Sequence, residues 1–417
     1  MTEEKVVKAE KKRETESDIA RKARRLLADP AFLFKVGQKI EELGVVGEER
    51  NRLILFLACV TRVLPNPAAI IIRGSSGKSS LVNPVIWLFD GRHVVDILDL
   101  SEQETRWRLG RLSEHILLID DYRDSAKDKQ ILMKLLQPQG AMYKAFQWGK
   151  DDDERDGPGD KIYIRQWPVV LFTTRGDAAL KNEESRFLSL HTDETPAQSL
   201  AIVKARALGL KLVAYDKDLE LWEQATNLLV VKRGDFENHP GWLSFVAEQL
   251  PVEQVGVRRS WARFVIFCCA IALCRGVGAA AENLAITFPD YCVAYRIFEP
   301  IFASELHGVR LEELRVARTI AKLNTREGRP VTVREIAAEL HCNDRLISDY
   351  VKSVQKNGFV VYESGTGKKK EEGLVAREDA RRRFLPSPKS VLNNHPALGR
   401  KVSYVDPFSG EVKWIEA

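Results

Sequence analysis

A short loop of small residues lies between a β-branched run and a segment that can begin a helix. The stretch "AAIIIRGSSGKSSLV" runs from Ala68 to Val82, and its first part is too short and too rich in isoleucine for a helix. A strand, a glycine-containing loop and a helix in that order direct backbone N–H groups at one point, where a phosphate can bind. The stretch therefore predicts a P-loop at the end of a strand in an α/β fold.

The loop departs at one position from the pattern G-x-x-x-x-G-K-[ST]. Gly77, Lys78 and Ser79 match the pattern, whereas Ile72 falls where the first glycine is expected. We expect Ile72 to extend the strand and Gly74 to make the turn instead. Lys78 would reach the β and γ phosphates of ATP, and the Ser79 hydroxyl would bind Mg²⁺. The candidate nucleotide-binding residues are Gly74, Ser75, Ser76, Gly77, Lys78, Ser79 and Ser80.

The helix after this loop contains a proline, and two more apolar runs follow it. Pro84 lies in the second turn, so we expect that helix to be bent or interrupted. The runs "EHILLIDDY" and "WPVVLFTTRG" are continuously apolar, which is typical of strands covered on both faces in a parallel sheet. Between them, "AMYKAFQWGK" and "KIYIRQW" flank the acidic tip "DDDERDGPGD", which predicts a long β-hairpin.

Polar residues at the ends of these strands are the candidate catalytic groups, together with Lys78. Of the pair Asp120 and Asp121, one carboxylate would hold Mg²⁺ through water, with Asp120 as the candidate, and the other would polarise the attacking water, although an aspartate pair predicts slow hydrolysis. Thr173 and Thr174 carry hydroxyls suited to orienting that water, and Thr174 is the candidate catalytic residue of the two. Arg186 can complete the site of a neighbouring subunit as an arginine finger. The alternatives are a surface turn for the aspartates and a surface ion pair for Arg186.

The segment 311–380 has the pattern of a winged helix-turn-helix. Three amphipathic segments precede two short β runs joined by "GTGKKKEEG", and the last helix, "DRLISDYVKSVQKNG", would enter the DNA major groove. Asp344 and Asp349 are unfavourable beside phosphates, so a protein-docking role stays open. The candidate DNA-binding residues are Arg345, Ser348, Lys352 and Lys356 on the helix and Lys368, Lys369 and Lys370 on the wing.

The remaining sequence completes a six-part organisation. We expect a charged flexible arm at 1–29 that turns helical near Ile19, N-terminal helices at 30–65 and an ATPase core at 66–196. A helical lid or linker region at 197–310 and the winged helix at 311–380 would precede a basic, loosely ordered tail at 381–417 that can end in a hairpin.

Composition excludes several other classes. The net charge of +5 is too small to identify a nucleic-acid binder by itself. The longest apolar run, "FVIFCCAIALC", is well short of the ~20 residues that cross a bilayer, so we expect a buried helix and no membrane partner. The six cysteines have no C-x-x-C spacing, which favours buried, reduced thiols in a cytoplasmic protein over zinc or disulfides.

Taken in order, these motifs resemble the AAA+ ATPases, specifically the MCM-like helicase-type ATPases of phages, plasmids and integrative elements. The resemblance rests on "AAIIIRGSSGKSS", "HILLIDDY" and "SRFLSLHTDET", and extends through "VRRSWARFVIFCCAIALCRG" and "ITFPDYCVAYRIF" over roughly 32–364. It implies an α/β P-loop NTPase (AAA+-like) core with helical flanking regions and a C-terminal winged helix-turn-helix domain. It also implies ATP and Mg²⁺ as cofactors, single-stranded or duplex DNA and replication proteins as partners, and a homo-oligomeric ring such as a hexamer.

This sequence departs from that family in two respects. It has no zinc-finger primase domain, so priming is not implied, and its hairpin tip is acidic where such helicases reach DNA with basic residues. Only Lys150, Lys161 and Arg165 lie near the tip.

Three hypotheses for function follow. The first is an ATP-dependent, DNA-binding AAA+ ATPase, a ring-forming, helicase-like replication protein of a mobile element. The second is an initiator, helicase loader or transposition regulator that acts as an ATP switch on DNA without translocation. The third is a scaffold that binds nucleotide without hydrolysis, which Ile72, Pro84 and the Asp120–Asp121 pair keep open.

Overall fold

Five parallel strands form the central sheet. The computed structural model describes residues 18–97, 114–120, 142–144, 161–163, 168–174, 187–208, 218–232, 235–236, 239–253, 256–276, 284–363, 373–377 and 384–417. The strands of the sheet are β1 (Ala69–Arg73), β2 (Val94–Ile97), β3 (Ile116–Ile119), β6 (Val169–Thr174) and β7 (Leu188–His191). Their order is β2-β3-β6-β1-β7, and every neighbouring pair is parallel.

The P-loop strand lies inside the sheet. All five residues of β1 are buried, and Ile72 pairs with Thr173 of β6 on one side and with Leu190 of β7 on the other. Ile72 therefore extends the strand, as the sequence predicts. The predicted strands around "HILLI" and "VVLFTT" are confirmed, whereas β2 and β7 were not predicted.

A separate hairpin lies between β3 and β6 in the sequence. Its strands are β4 (Met142–Lys144) and β5 (Lys161–Tyr163), which pair antiparallel. The base of the predicted hairpin is thus confirmed. The acidic tip, Lys150 and Arg165 lie outside the described residues.

Helices surround the sheet and form much of the core. They are α1 (18–27), α2 (Phe32–Glu42), α3 (Glu49–Val60), α4 (Lys78–Ile86), α5 (Pro196–Ala207), α6 (Leu219–Asn227), α7 (Gly241–Glu248), α8 (Val257–Gly276) and α9 (Phe288–His307). Helix α3 is buried on every side from residue 51 to residue 60, and α8 packs on α9 through the stacked rings of Phe267 and Phe298, whose centroids are 4.1 Å apart. The run "FVIFCCAIALC" is therefore a buried helix, as expected.

Helix α4 runs without interruption past its proline. It begins at Lys78 and ends at Ile86, two residues after Pro84. The helix is therefore not interrupted, although Pro84 has no N–H to donate to the Ser80 carbonyl. Backbone N–H groups just beyond it, at Trp87 and Leu88, donate to Asn83 and Val85 over 3.0 and 3.2 Å.

Three helices and a second hairpin follow α9. Helices α10 (Leu311–Glu327), α11 (Val333–Leu340) and α12 (Asp344–Lys356) precede the antiparallel strands β8 (Val360–Glu363) and β9 (Gly373–Ala376). Thr332 and Glu335 form a capping box at the start of α11, and Asn343 caps α12. Ile347, Val351 and Val354 are buried as predicted, but Tyr350 is only half-buried.

The C-terminal segment is part of the core. It contains α13 (Pro388–Asn394) and an antiparallel hairpin of β10 (Lys401–Val405) and β11 (Val412–Glu416). Phe384, Leu385, Val391 and Leu392 are at most 1% exposed. The prediction of a loosely ordered tail is therefore wrong for residues 384–417, whereas the hairpin expected at its end is confirmed. The basic and proline-rich composition does not reveal that four apolar residues are buried.

Part of the predicted flexible arm is also packed. Ala23 and Leu27 of α1 are buried, so residues 18–27 form an ordered helix that begins near the expected position. Within the described ranges, none of the helices has both the length and the apolar character that a membrane crossing requires. All six cysteines are free; five are buried and Cys342 is half-buried.

Candidate nucleotide-binding site

The loop between β1 and α4 depends on two glycines with positive φ. Gly74 has a φ of +153°, and a Cβ built there would lie 2.0 Å from Thr192 Oγ1. Gly77, which precedes the first residue of α4, has a φ of +82° in the left-handed region. Other residues adopt such values at a cost, so the loop requires glycine at both positions.

Lys78 points back across this loop. It is the first residue of α4, is 9% exposed, and its Nζ donates to the Gly74 carbonyl over 2.6 Å. Ser79 and Ser80 follow it in the first helical turn, where unpaired backbone N–H groups favour an anion. The loop thus has the charge and the donors that a polyphosphate needs.

Asp120 connects the ends of β3 and β6 with the first turn of α4. It follows β3 directly, and its Oδ1 accepts from Thr173 Oγ1 of β6 over 2.5 Å. The Ser79 hydroxyl lies 3.4 Å from Asp120 Oδ2. These hydroxyl and carboxylate oxygens are the ligand type that Mg²⁺ prefers, with phosphate and water oxygens completing its coordination. The described residues contain no group of three or more His, Cys, Asp or Glu side chains that would hold a metal by themselves.

The other three predicted catalytic residues, Thr174, Asp121 and Arg186, do not make a contact that the structure describes at this site. Thr174 is 3% exposed and follows Thr173, so alternation along the strand directs it to the opposite face of the sheet. Thr173 is thus the hydroxyl that contacts Asp120. Asp121 and Arg186 lie outside the described residues. Phe187, directly after Arg186, is fully buried, and its carbonyl accepts from the guanidinium of Arg263.

Two acidic residues near the loop were not predicted. Burial, followed by the charge of Asp120, raises the pKa of Asp96 on β2. Glu194, in the loop after β7, accepts hydrogen bonds from the backbone N–H of Ser75 and, over 2.8 Å, from its hydroxyl. The Ser75 hydroxyl and then the Ser75 N–H lower the pKa of Glu194. Burial opposes them with a smaller effect, and the Ser76 N–H and the charge of Lys78 lower the pKa further. No sequence signal linked Glu194 to the P-loop, because 119 residues separate it from Ser75.

A cleft of about 1070 Å³ opens beside the P-loop. It lies between the loop at 43–46, the start of α4 and one face of α5, and it includes Trp87. Gln198 of α5 closes one side by donating from Nε2 to the Val46 carbonyl over 2.6 Å. The volume is at the upper end of ordinary ligand pockets, so a nucleoside attached to the phosphates has room here.

The predicted DNA-binding residues on α12 are mostly exposed. Arg345, Lys352 and Lys356 are open to solvent, although Lys352 lies 3.2 Å from Asp349. Ser348 is half-buried, and its hydroxyl donates to the Asp344 carbonyl over 2.8 Å. Lys368, Lys369 and Lys370 lie outside the described residues.

Comparison with known proteins gives little further assignment. No protein-family model matches the chain, and no curated protein matches it. Among solved structures, the chain is similar to a full-length MCM homolog from Methanopyrus kandleri, with 13% sequence identity and a TM-score of 0.44. The match covers 67% of this chain and 60% of the length of that one. A TM-score this low does not assign fold or function, which rest on the residues and contacts above.

Proposed function

We propose that the protein is an ATP-dependent, DNA-binding ATPase of the AAA+ type that acts in a ring as a helicase-like replication protein of a mobile element. The observation that carries this proposal is the convergence of Lys78, Ser79, Asp120 and Thr173 at one edge of the parallel sheet. A turn that binds no ligand needs a glycine, but it does not need a lysine, a hydroxyl and a carboxylate close together. These groups together support binding of a magnesium–nucleotide complex.

Each residue has a role in this mechanism. The backbone N–H groups of Ser75 to Ser79 and the ammonium of Lys78 bind the phosphates, and the cleft beside Trp87 holds the nucleoside. When bound, Mg²⁺ would neutralise charge on the phosphate oxygens, held by the Ser79 hydroxyl and Asp120. Thr173 fixes the Asp120 carboxylate through the hydrogen bond to Oδ1.

The hydrolysis step needs two further groups that the sequence supplies. We assign Asp121 to polarising the attacking water and Arg186 to stabilising charge on the transferred phosphoryl group from a neighbouring subunit. Of the two threonines at the end of β6, we assign Thr173 rather than Thr174 to the site, because the Thr173 hydroxyl is the one that donates to Asp120.

The DNA-binding part of the proposal concerns residues 311–377. Their three helices and the β8–β9 hairpin, with an isolated bridge between Val331 and Leu374, support a winged helix. Helix α12 would present Arg345, Lys352 and Lys356 to the major groove, with Ser348 beside them, and the wing lysines would contact phosphates.

An ATP switch that does not translocate is the second candidate. The observation that favours it is the carboxylate of Glu194 in the P-loop, because nucleotide has to replace a contact made by the protein itself. Replacement of the Glu194 contact by nucleotide would give the protein two states, one with nucleotide bound and one without it, as a switch requires.

ATP turnover with and without DNA tests the proposal. We expect single-stranded or duplex DNA to stimulate turnover, and Lys78→Ala to reduce it by at least about 100-fold, because the variant removes the charge that holds the phosphates. Lys204→Ala, an exposed lysine of α5, is the matched control and keeps full turnover.

The outcomes separate the three hypotheses. DNA-stimulated turnover together with strand separation supports the helicase, and stimulation without strand separation supports the switch. Nucleotide binding without turnover under any condition would exclude the helicase.

A further inference from the structure

The P-loop carries a carboxylate of its own chain where it would carry a phosphate. Ser75 donates twice to Glu194, from its backbone N–H and from its hydroxyl, and the backbone N–H of Ser76 and the charge of Lys78 also act on this carboxylate. Successive N–H groups, a hydroxyl and an ammonium are the groups by which such a loop binds anions. A phosphate oxygen and Glu194 compete for the single Ser75 N–H, and their negative charges repel each other.

The segment that carries Glu194 is fixed on both sides. Thr192 donates from its backbone N–H to the Arg73 carbonyl over 3.0 Å, and its hydroxyl lies 3.3 Å from the Ser76 carbonyl. The Asp193 N–H donates to Glu48 Oε1 over 2.6 Å. The Thr195 hydroxyl caps α5 by accepting from the Gln198 N–H over 3.2 Å. The backbone of 192–195 thus holds Glu194 over the loop, and release of the carboxylate needs only rotation of an exposed side chain.

We infer that Glu194 is an intrachain competitor of the nucleotide phosphates, which ATP displaces on binding and which returns when product leaves. The inference rests on the nucleotide site proposed above and adds a control on its affinity. The competition acts at the phosphates, so it weakens binding of any polyphosphate and has no effect on binding of the nucleoside part.

Glu194→Gln tests this inference by binding rather than by turnover. Glutamine keeps the size and one acceptor oxygen but removes the charge, and hydrogen bonds to a charged acceptor are roughly twice as strong as those to a neutral one. We expect magnesium ATP and magnesium tripolyphosphate to bind about tenfold more tightly to the variant in calorimetry. Adenosine should bind both proteins equally.

Asp193→Asn is the matched control for charge. Asp193 is the preceding residue, and its carboxylate accepts from the Thr195 N–H over 2.9 Å rather than from the P-loop. The control removes the same charge from the same segment, so a tenfold gain with this variant as well would show a general electrostatic effect and overturn the inference.

The failure of the inference is distinct from the failure of the nucleotide site. If the natural protein binds magnesium ATP and Lys78→Ala does not, the site stands, and unchanged or weaker binding to Glu194→Gln overturns the competition alone. If the natural protein, Lys78→Ala and Glu194→Gln all fail to bind tripolyphosphate and ATP, both proposals fall. Binding to Glu194→Gln alone supports the competition.

Release of product gives a kinetic test of the same inference. A returning carboxylate helps to expel the phosphates, so a fluorescent ADP analogue should dissociate more slowly from Glu194→Gln than from the natural protein in stopped-flow measurements. Equal dissociation rates would contradict the return step.

Discussion

At the scale of single residues, Gly74 is the position where the P-loop accepts no side chain. Its φ of +153° and the position of Thr192 Oγ1, 2.0 Å from where a Cβ would lie, act together. Glycine here replaces the glycine that the usual pattern has at position 72, since Ile72 pairs within the sheet between Thr173 and Leu190. The glycine that makes the turn is therefore two residues later than in the usual pattern, while Gly77, Lys78 and Ser79 keep their usual positions.

Gly74→Ala should therefore abolish nucleotide binding and destabilise the protein. The unusual φ alone costs about 1–3 kcal/mol for a residue with a side chain, and the close contact with Thr192 adds to it. Gly308→Ala is the control, because Gly308 has a φ of +64° with no atom of the described chain within 4 Å of its Cβ position and should lose only the conformational term. Urea unfolding and ATP binding measure both effects; equal destabilisation by the two variants would contradict the steric argument.

Some site residues could be predicted from the sequence and others could not. Lys78, Ser79 and Asp120 follow from motif spacing, because a loop after one strand and a carboxylate after a parallel neighbour meet at the same sheet edge. Glu194 could not be predicted, since its contact with Ser75 depends on β7 pairing with β1. The choice of Thr173 over Thr174 likewise depends on which face of β6 is turned towards Asp120.

At the scale of elements, the C-terminal hairpin is held to the core by a buried carboxylate. Asp406 is 2% exposed, accepts from Arg296 Nε of α9 over 3.0 Å, and also accepts from the backbone N–H groups of Phe408 and Ser409. The Phe408 ring lies 5.6 Å from the guanidinium carbons of both Arg50 and Arg296. The hairpin therefore links the N-terminal and central helices.

Asp406→Ala should lower the free energy of unfolding by about 2–3 kcal/mol, because it leaves two backbone donors and a guanidinium without their acceptor. Glu411→Ala in the same hairpin breaks an exposed pair with Lys413 and should cost under about 1 kcal/mol. Chemical denaturation compares the two variants. If they are equally stable, the hairpin is not coupled to the core.

The elements that the sequence failed to predict share a physical feature. Strand β7 alternates buried and half-buried residues over only four positions, and β2 contains an aspartate, so neither has the continuous apolar run of β1. In the C-terminal segment, isolated apolar residues are buried by helices from elsewhere in the chain. Local pattern cannot reveal burial that distant elements create.

At the scale of the whole molecule, three carboxylates from distant parts of the chain influence one another electrostatically. Glu48 precedes α3, Asp193 follows β7, and Glu312 lies in the first turn of α10. Burial is the main cause that raises the pKa of Glu312, and the charge of Asp193 raises it further. Burial is also the main cause that raises the pKa of Glu48, and the charges of Asp193 and Glu312 raise it further. The charge of Asp193 thus disfavours the ionised forms of Glu48 and Glu312, against the hydrogen bonds that Glu48 accepts from the Asp193 N–H and from Asn51.

This cluster predicts the sign of a pH dependence. Because the pKa of Glu312 is higher in the folded protein than its ordinary value of 4.5, the stability from its protonated form is complete below that value and is lost as pH rises through the folded pKa. Glu312→Gln should therefore raise the urea midpoint at pH 8 and leave it unchanged at pH 4. Glu363→Gln, an exposed residue of β8, should change neither.

A gain from Glu312→Gln at pH 4 as large as that at pH 8 would contradict the titration and point to a packing effect instead. The negative charge of Glu312 at the N-terminus of α10 opposes the predicted gain, because helix N-termini favour anions by about 0.3–1 kcal/mol. Burial and the charge of Asp193 outweigh this, as the raised pKa indicates. Through the charge of Asp193, the residue before Glu194, the pKa of Glu312 depends on the segment that covers the P-loop.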